Sequence, residues 1–216
     1  MANFFPRWTN FLPLWVAVGV VVLGGALTAG VTYYCTPKYL RVGYTPSQPV
    51  PFSHRTHAGQ LGLDCRYCHS FVEVSSHANV PATQTCWNCH QHVRKGDPKL
   101  AKVVSSIESG RSIEWVKVHK VPDYAYFNHS AHVNRGVSCV ECHGRIDEMD
   151  VVTHEKPLSM GWCLDCHRDP DKSLRPLDQV TNLGWSPEGV DREELGARLK
   201  KAWNVAPPES CGACHR

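Results

Sequence analysis

The sequence predicts a chain of short helices and irregular loops, preceded by one membrane-spanning helix, and three observations point to this fold class. Residues 11–34, FLPLWVAVGVVVLGGALTAGVTYY, carry no charge. The whole chain holds only 3 Met, 6 Phe and 7 Tyr, so large side chains for a packed core are scarce. Its 15 Pro and 16 Gly are scattered along the chain, which suits loops rather than long regular elements. Something other than side chains is therefore expected to fill the interior.

Residues 11–34 are long enough to span a bilayer core. Charged residues flank the segment, and aromatic residues mark both interfaces; these are Arg7, Lys38 and Arg41, and Trp8, Trp15, Tyr33, Tyr34 and Tyr39. A cleaved signal peptide is the alternative, but the apolar region is too long and no A-x-A site follows it. Lipid attachment at Cys35 is disfavoured because Thr-Tyr-Tyr before it lacks small residues. We therefore expect a single-pass signal anchor.

Ten of the eleven cysteines fall into five C-x-x-C pairs, and a histidine directly follows each pair. The five motifs are Cys65, Cys68 and His69; Cys86, Cys89 and His90; Cys139, Cys142 and His143; Cys163, Cys166 and His167; and Cys211, Cys214 and His215. A zinc ribbon needs two pairs per metal and no histidine at the next position. A disulfide framework is disfavoured because C-x-x-C pairs are usually redox-active or metal-binding.

Two thiols on one helical turn can bond to the two vinyl groups of one haem, and the next histidine then binds the iron. The motifs thus predict five covalently bound c-type haems, which would supply the missing apolar core. Haem propionates would also offset the formal net charge of +3. No Lys/Arg run exceeds two residues, which argues against nucleic acid as a partner.

The haem region contains a duplication. Phe52-Ser-His54-Arg-Thr-His57 precedes the first motif and Phe127-Asn-His129-Ser-Ala-His132 precedes the third, 75 residues later. The predicted organisation is a cytoplasmic N-terminus (1–10), the transmembrane anchor (11–34), a linker (35–50), a first two-haem module (51–98), a connecting segment (99–124), a second two-haem module (125–172) and a C-terminal extension with the fifth haem (173–216). The connecting segment is expected to form a loop and then a short strand.

Haems that only transfer electrons need a sixth ligand, and the duplicated histidines are the candidates. The repeat suggests that the first histidine of each pair serves the haem that follows it and the second serves the next haem. This rule pairs His54 with His69, His57 with His90, His129 with His143 and His132 with His167.

The haem on His215 then lacks a distal ligand, and Met160, His119, His77 and His154 compete for it. A methionine ligand would raise the potential of that haem above its bis-histidine neighbours. His92 follows His90 too closely and is expected to be exposed. Because candidate ligands outnumber the haems, no open iron is expected, and we predict an electron carrier without catalytic residues.

The modules resemble those of the cytochrome c3/c7 class. With the anchor, the stretches SFVEVSSHANVPATQTCWNCH and IEWVKVHKVPDYAYFNHSAHVNRGVSCVECHG, and LSMGWCLDCHR, the chain is similar to the pentahaem membrane-anchored subunit of alternative complex III. The resemblance implies a haem wire that carries electrons from menaquinol oxidation to a periplasmic cytochrome c, a blue-copper protein or an oxidase. It also implies one haem capped by methionine.

The partners that the resemblance implies are a large iron–sulfur subunit, polytopic quinol-binding membrane subunits and a monohaem cytochrome c. The alternative function is a self-sufficient membrane-anchored quinol dehydrogenase that feeds a periplasmic reductase. Related tetrahaem enzymes carry a Met shortly after their first motif, whereas Ser70-Phe71-Val72 follows His69 here. Counting positive charges weakly favours the opposite orientation, but haem c is attached outside the bacterial cytoplasmic membrane, so the haem domain is expected on the periplasmic face.

Overall fold

The computed structural model describes residues 5–35 and 41–215. Lys38 and Tyr39, which the sequence places beside the membrane helix, lie outside these residues. The chain divides into two compact units, the first ending at Arg41 and the second beginning at Val42.

The first unit is one long apolar helix. A 3₁₀ turn, Arg7–Phe11, leads into α1, Leu12–Cys35, which contains no buried residue. Apolar side chains occupy every face of this helix, as expected where no aqueous face is needed. By length and composition, the helix can cross a membrane.

The second unit is built from short helices joined by loops, which confirms the predicted fold class. The described part of this unit has no strand, only an isolated antiparallel bridge between Val137 and Leu174. Its α-helices are α2 (Cys65–Cys68), α3 (Thr83–His90), α4 (Ala101–Ser109), α5 (His129–Val133), α6 (Cys139–His143), α7 (Met160–Arg168), α8 (Arg192–Ala202) and α9 (Cys211–Cys214). A π-helix covers Arg55–Gln60, and 3₁₀ turns cover Pro98–Leu100, Ile146–Glu148, Asp171–Ser173 and Leu177–Gln179.

The predicted strand in the connecting segment is wrong. Residues 101–109 form α4, which buries Val103 and ends at Gly110 with φ 67°. The extended stretch that follows finds no partner strand among the described residues. Instead, the Gln48 carboxamide donates to the Val116 carbonyl and accepts from the Val116 N–H, both at 2.9 Å. A side chain therefore satisfies the backbone groups that a neighbouring strand would otherwise pair.

The two halves of the duplication exchange contacts, and we call this arrangement the reciprocal interlock. On one side, the first histidine-bearing turn packs against residues 147–150, just after the third motif. The Arg55 N–H donates to the Met149 carbonyl at 3.0 Å, and the Ser53 hydroxyl donates to Asp150 at 2.8 Å. Gly59 faces the Asp147 carbonyl so closely that a Cβ would overlap it.

On the other side, the second histidine-bearing turn packs against residues 73–76, just after the first motif. The Ser130 N–H donates to the Ser75 carbonyl at 3.1 Å, and the Asn134 amide donates to the Glu73 carbonyl at 2.8 Å. Arg55 and Ser130 are equivalent positions of the repeat. The duplicated halves therefore hold each other by matching contacts.

The C-terminal extension is attached to the third motif through a buried ion pair. The Arg175 side chain is only 1% exposed and contacts Glu141, which lies between the two cysteines of that motif, at 3.1 Å. Arg192 at the start of α8 contacts the same carboxylate. Gly196 packs α8 against the Asp171 backbone, where a Cβ would not fit. These contacts fix the extension relative to the second module.

Candidate haem-binding sites

Each C-x-x-C pair lies on a single helical turn. The first thiol and the second are three residues apart, so both side chains project from the same face of the helix. Three of the turns begin at a residue whose side chain caps the helix: Asp64 accepts from Arg66, Ser138 from Val140 and Ser159 from Trp162. Such caps satisfy N–H groups that the helix leaves unpaired, and they fix where the turn starts.

Four of the five motif histidines have their Nδ1 atoms bound to backbone carbonyls. The pairs are His69 with Asn79 at 2.7 Å, His90 with Val93 at 3.1 Å, His167 with Pro208 at 2.7 Å and His215 with Tyr124 at 3.0 Å. A bond that places the proton on Nδ1 leaves Nε2 as a free donor for a metal and fixes the orientation of the ring. This is the tautomer that iron ligation through Nε2 requires.

Two of the predicted ligand pairs face each other across a gap. The ring centroids of His57 and His90 lie 6.2 Å apart, and those of His132 and His167 lie 6.1 Å apart. A metal about 2 Å from one nitrogen of each imidazole separates the two centroids by about 6 Å. The spacing in both halves therefore fits one iron between two histidines.

The phenylalanine of each F-x-H-x-x-H segment orients both of its histidines, a role that the sequence analysis missed. Phe52 stacks on His57 with centroids 4.4 Å apart, and its edge meets His54 at 4.9 Å. Phe127 stacks on His132 at 4.6 Å and meets His129 at 4.7 Å in the same two geometries. The repeat of Phe at a fixed offset was the available signal.

The second histidine of each segment is also held by its own turn. His57 Nδ1 lies 2.8 Å from the Ser53 carbonyl, and His132 Nδ1 lies 2.7 Å from the Asn128 carbonyl, four residues earlier in both cases. Backbone and phenylalanine together therefore leave Nε2 of each ring directed away from the turn.

The first histidines of the two segments lie in a half-buried group of imidazoles around His143. His129 Nδ1 bonds to the Ser76 carbonyl at 2.8 Å, whereas His54 Nδ1 is buried without a hydrogen-bond partner. Burial lowers the pKa of His54 to about 4, with a smaller effect of His69, and it lowers the pKa of His143 to about 3. Both rings are therefore neutral at pH 7, as metal ligation requires.

Two candidates for the remaining distal ligand lie beside this group. His119 contacts His143 at 4.3 Å and His154 at 5.2 Å between ring centroids. His154 is 1% exposed, and neither of its ring nitrogens has a hydrogen-bond partner. Burial also lowers the pKa of His119 to about 4. Orphaned buried nitrogens of this kind fit a metal-bound cofactor better than a plain protein core.

The other two candidates are exposed. His77 lies on the loop after the first motif, near His129. His92, which is not among the candidates, is exposed as expected. Met160 is the first residue of α7, one helical turn before Cys163, and its side chain is 66% exposed. Burial raises the pKa of the Cys163 thiol, and the nearby Cys214 of the fifth motif raises it further. Met160 thus lies on the same helix as a thiol that is near the fifth motif.

Similarity to known proteins agrees with haem binding by these cysteines and histidines. The family described as cytochrome c7 and related cytochrome c matches residues 125–216. The multiheme cytochrome c subunit of menaquinone reductase from Nitratidesulfovibrio vulgaris is 38% identical over 175 residues, which cover 78% of this chain and 77% of that protein. Cytochrome c-552 from Desulfotalea psychrophila is 23% identical over 236 residues, which cover 84% of this chain but only 46% of that protein.

Proposed function

Because the chain belongs to the family of multihaem cytochromes c that includes the menaquinone reductase subunit, we propose that it is the haem wire of a membrane quinone oxidoreductase. The observation that carries this proposal is the 38% identity, which extends over 77% of that relative. The two ring pairs at 6.1 and 6.2 Å support the same role, because an iron with two histidine ligands has no open position for a substrate.

Each of the five motifs would hold one haem, through two thioether links and the following histidine. The chemistry that haem supplies is one-electron transfer at the iron, and the protein tunes it through the axial ligands and their surroundings. His54, His57, His129 and His132 are the proposed distal ligands of the first four haems. Intact mass spectrometry should find five haem masses on the chain, and three or fewer would refute the assignment.

We propose Met160 as the distal ligand of the fifth haem. Its support is its position on α7, one turn from Cys163, whose pKa is raised by burial and by the nearby Cys214 of the fifth motif. The group of His119 and His154 lies beside the third motif instead. The oxidised protein should then show one near-infrared charge-transfer band typical of His–Met ligation, which Met160→His removes. Five purely bis-histidine signatures in the wild type would exclude Met160.

The helix Leu12–Cys35 would anchor the haem unit in the bacterial cytoplasmic membrane, with the haems on the periplasmic face. Small residues recur on this helix at Gly25 and Ala29, a spacing that lets another helix approach closely. The proposed partners are polytopic quinone-binding membrane subunits, a large iron–sulfur subunit and a monohaem cytochrome c. Extraction in mild detergent should recover the chain with such subunits.

The electrons would come from menaquinol and pass to a periplasmic cytochrome c, a blue-copper protein or an oxidase. The opposite direction is a second candidate, because the relative is named for the reduction of menaquinone. Measurements on the purified complex distinguish the two directions of electron transfer. Rapid haem reduction on adding a menaquinol analogue, with transfer to an added high-potential acceptor, supports oxidation. Menaquinone reduction by the pre-reduced haems without efficient reverse transfer supports the second candidate.

A further inference from the structure

The haem motifs do not lie in space in their order along the chain. The N-terminal caps of the first and third attachment turns are held by two successive residues of the C-terminal extension. The Thr181 hydroxyl donates to the Asp64 carboxylate at 3.0 Å, and the Ser138 hydroxyl donates to the Val180 carbonyl at 2.6 Å. Asp64 directly precedes Cys65, and Ser138 directly precedes Cys139. These two contacts hold the first cysteines of the two motifs, Cys65 and Cys139, close to each other.

The reciprocal interlock reinforces this contact between the first and third motifs. The loop after the first motif receives the second histidine-bearing turn, and the loop after the third motif receives the first such turn. Both exchanges join the same two motifs. The second motif takes no part in them, although it lies between the first and third motifs in the sequence.

The second motif is a neighbour of the first. His57, which faces His90 of the second motif, is three residues from His54, which lies near His69 of the first motif. Burial raises the pKa of the Cys68 thiol of the first motif, and the nearby Cys86 and Cys89 of the second motif raise it further. The first motif therefore lies between the second motif and the third.

The remaining motifs follow the third in chain order. Burial raises the pKa of the Cys142 thiol of the third motif, and the nearby Cys166 and Cys163 of the fourth motif raise it further. His167 of the fourth motif donates to the Pro208 carbonyl, three residues before the fifth motif begins. The fifth motif is attached to the rest by the Tyr126 N–H, which donates to the Cys214 carbonyl at 2.8 Å.

We propose that the haems conduct electrons in the spatial order second, first, third, fourth, fifth, so that the two modules exchange electrons through the first and third motifs. The haems of the second and fifth motifs are then the two ends of the wire, where electrons enter and leave. This order rests on the proposed function for its meaning, since it assumes that each motif holds a haem. A wire in chain order would instead pass from the second haem directly to the third.

Iron positions test the order without reference to quinone activity. In a cryo-electron microscopy structure of the haem-loaded complex, the iron–iron distance between the first and third haems should be shorter than that between the second and third. A shorter distance between the second and third irons would overturn the order. This result leaves the direction of quinone chemistry untouched, so the failure of one proposal can be distinguished from the failure of the other.

Haem deletion tests the ends of the wire in the complex. Cys86→Ser/Cys89→Ser and Cys211→Ser/Cys214→Ser each remove one terminal haem, and mass spectrometry should count four in each variant. The magnetic interaction between the ferric haems of the first and third motifs should persist in electron paramagnetic resonance spectra of the second-motif variant. Passage of electrons through the complex should fall at least tenfold in both variants. Passage at the wild-type rate with four haems would overturn the assignment of that end.

Discussion

At the scale of single residues, we expect the two phenylalanines of the repeat to help hold their histidines on the iron. Phe52→Leu removes the ring stacked on His57, an aromatic contact of about 0.5–1.5 kcal/mol. We expect His57 to leave the iron up to about tenfold more often, which opens a site for carbon monoxide on the reduced protein. Carbon monoxide binding followed by absorbance measures this effect. Phe127→Leu should open the fourth haem equally, while Phe71→Leu, at an exposed position, should not; equal binding by all three would contradict the role.

The buried ion pair beneath the third motif makes a second prediction at this scale. Glu141→Gln leaves the Arg175 guanidinium, only 1% exposed, without its counter-charge. Removing one partner of a buried pair costs about 3–5 kcal/mol of the free energy of unfolding. Chemical denaturation of the haem-loaded protein measures the loss. Glu209→Gln is the matched control, because the Glu209 pair with Arg168 is exposed and should cost at most about 1 kcal/mol.

Residue chemistry was the part of the site that the sequence could predict. The cysteine spacing and the following histidine identify attachment turns because both depend on neighbours within one helical turn. The Nδ1 bonds to Asn79, Pro208 and Tyr124 could not be predicted, since those carbonyls lie 10, 41 and 91 residues away along the chain. The buried contact between His119 and His154 likewise depends on tertiary packing that no local pattern encodes.

At the scale of secondary-structure elements, the reciprocal interlock depends on a close approach at Gly59. Gly59→Ala would add a Cβ that overlaps the Asp147 carbonyl. Alanine favours a helix over glycine by up to about 1 kcal/mol, but the overlap should cost about 1–3 kcal/mol and outweigh that gain. We expect lower thermal stability and faster proteolysis between the modules. Gly184→Ala, whose Cβ would meet only ordinary contacts, is the control; equal stability of the two variants would contradict the interlock.

The elements show where local patterns succeed and fail. The helix α1, with 24 residues, begins and ends one residue later than the predicted segment 11–34. The agreement is close because a continuous apolar sequence defines the length of such a helix. The helix Ala101–Ser109 was missed, although Val103, Val104 and Ile107 recur at helical spacing and Gly110 ends it. Strand propensity in the segment that follows was misleading, because Gln48 takes the place of a partner strand.

At the scale of the whole molecule, the core that side chains form is small. In the described part of the chain, the buried apolar residues are Val50, Val72, Val103, Val118, Leu174, Val180 and Leu183. So few fully buried apolar side chains offset only a small part of the conformational entropy that folding the backbone costs. We expect haem-free protein, expressed where haem is not attached, to lack a cooperative unfolding transition. Circular dichroism and limited proteolysis test this, and a protease-resistant haem-free chain would contradict it.

Whole-molecule organisation was predictable only as far as the duplication reached. The 75-residue offset indicates two equivalent halves, and the matching Phe–His geometry of those halves agrees with it. The exchange between the halves was not predictable, because a repeat gives the internal structure of each copy and not the way the copies face each other. The pairing of residues 53–60 with 147–150 had to come from the three-dimensional structure.

The reciprocal interlock also limits when the two halves can dock during synthesis of the chain. Arg55 donates to the Glu148 carbonyl, 93 residues further along the chain, so the first histidine-bearing turn cannot dock until that later segment has been made. At typical elongation rates the delay is about 5–20 s. We expect the first two attachment turns to remain undocked from the later half of the chain during this interval. Late docking would therefore favour haem attachment at these turns before the first histidine-bearing turn packs against the later segment.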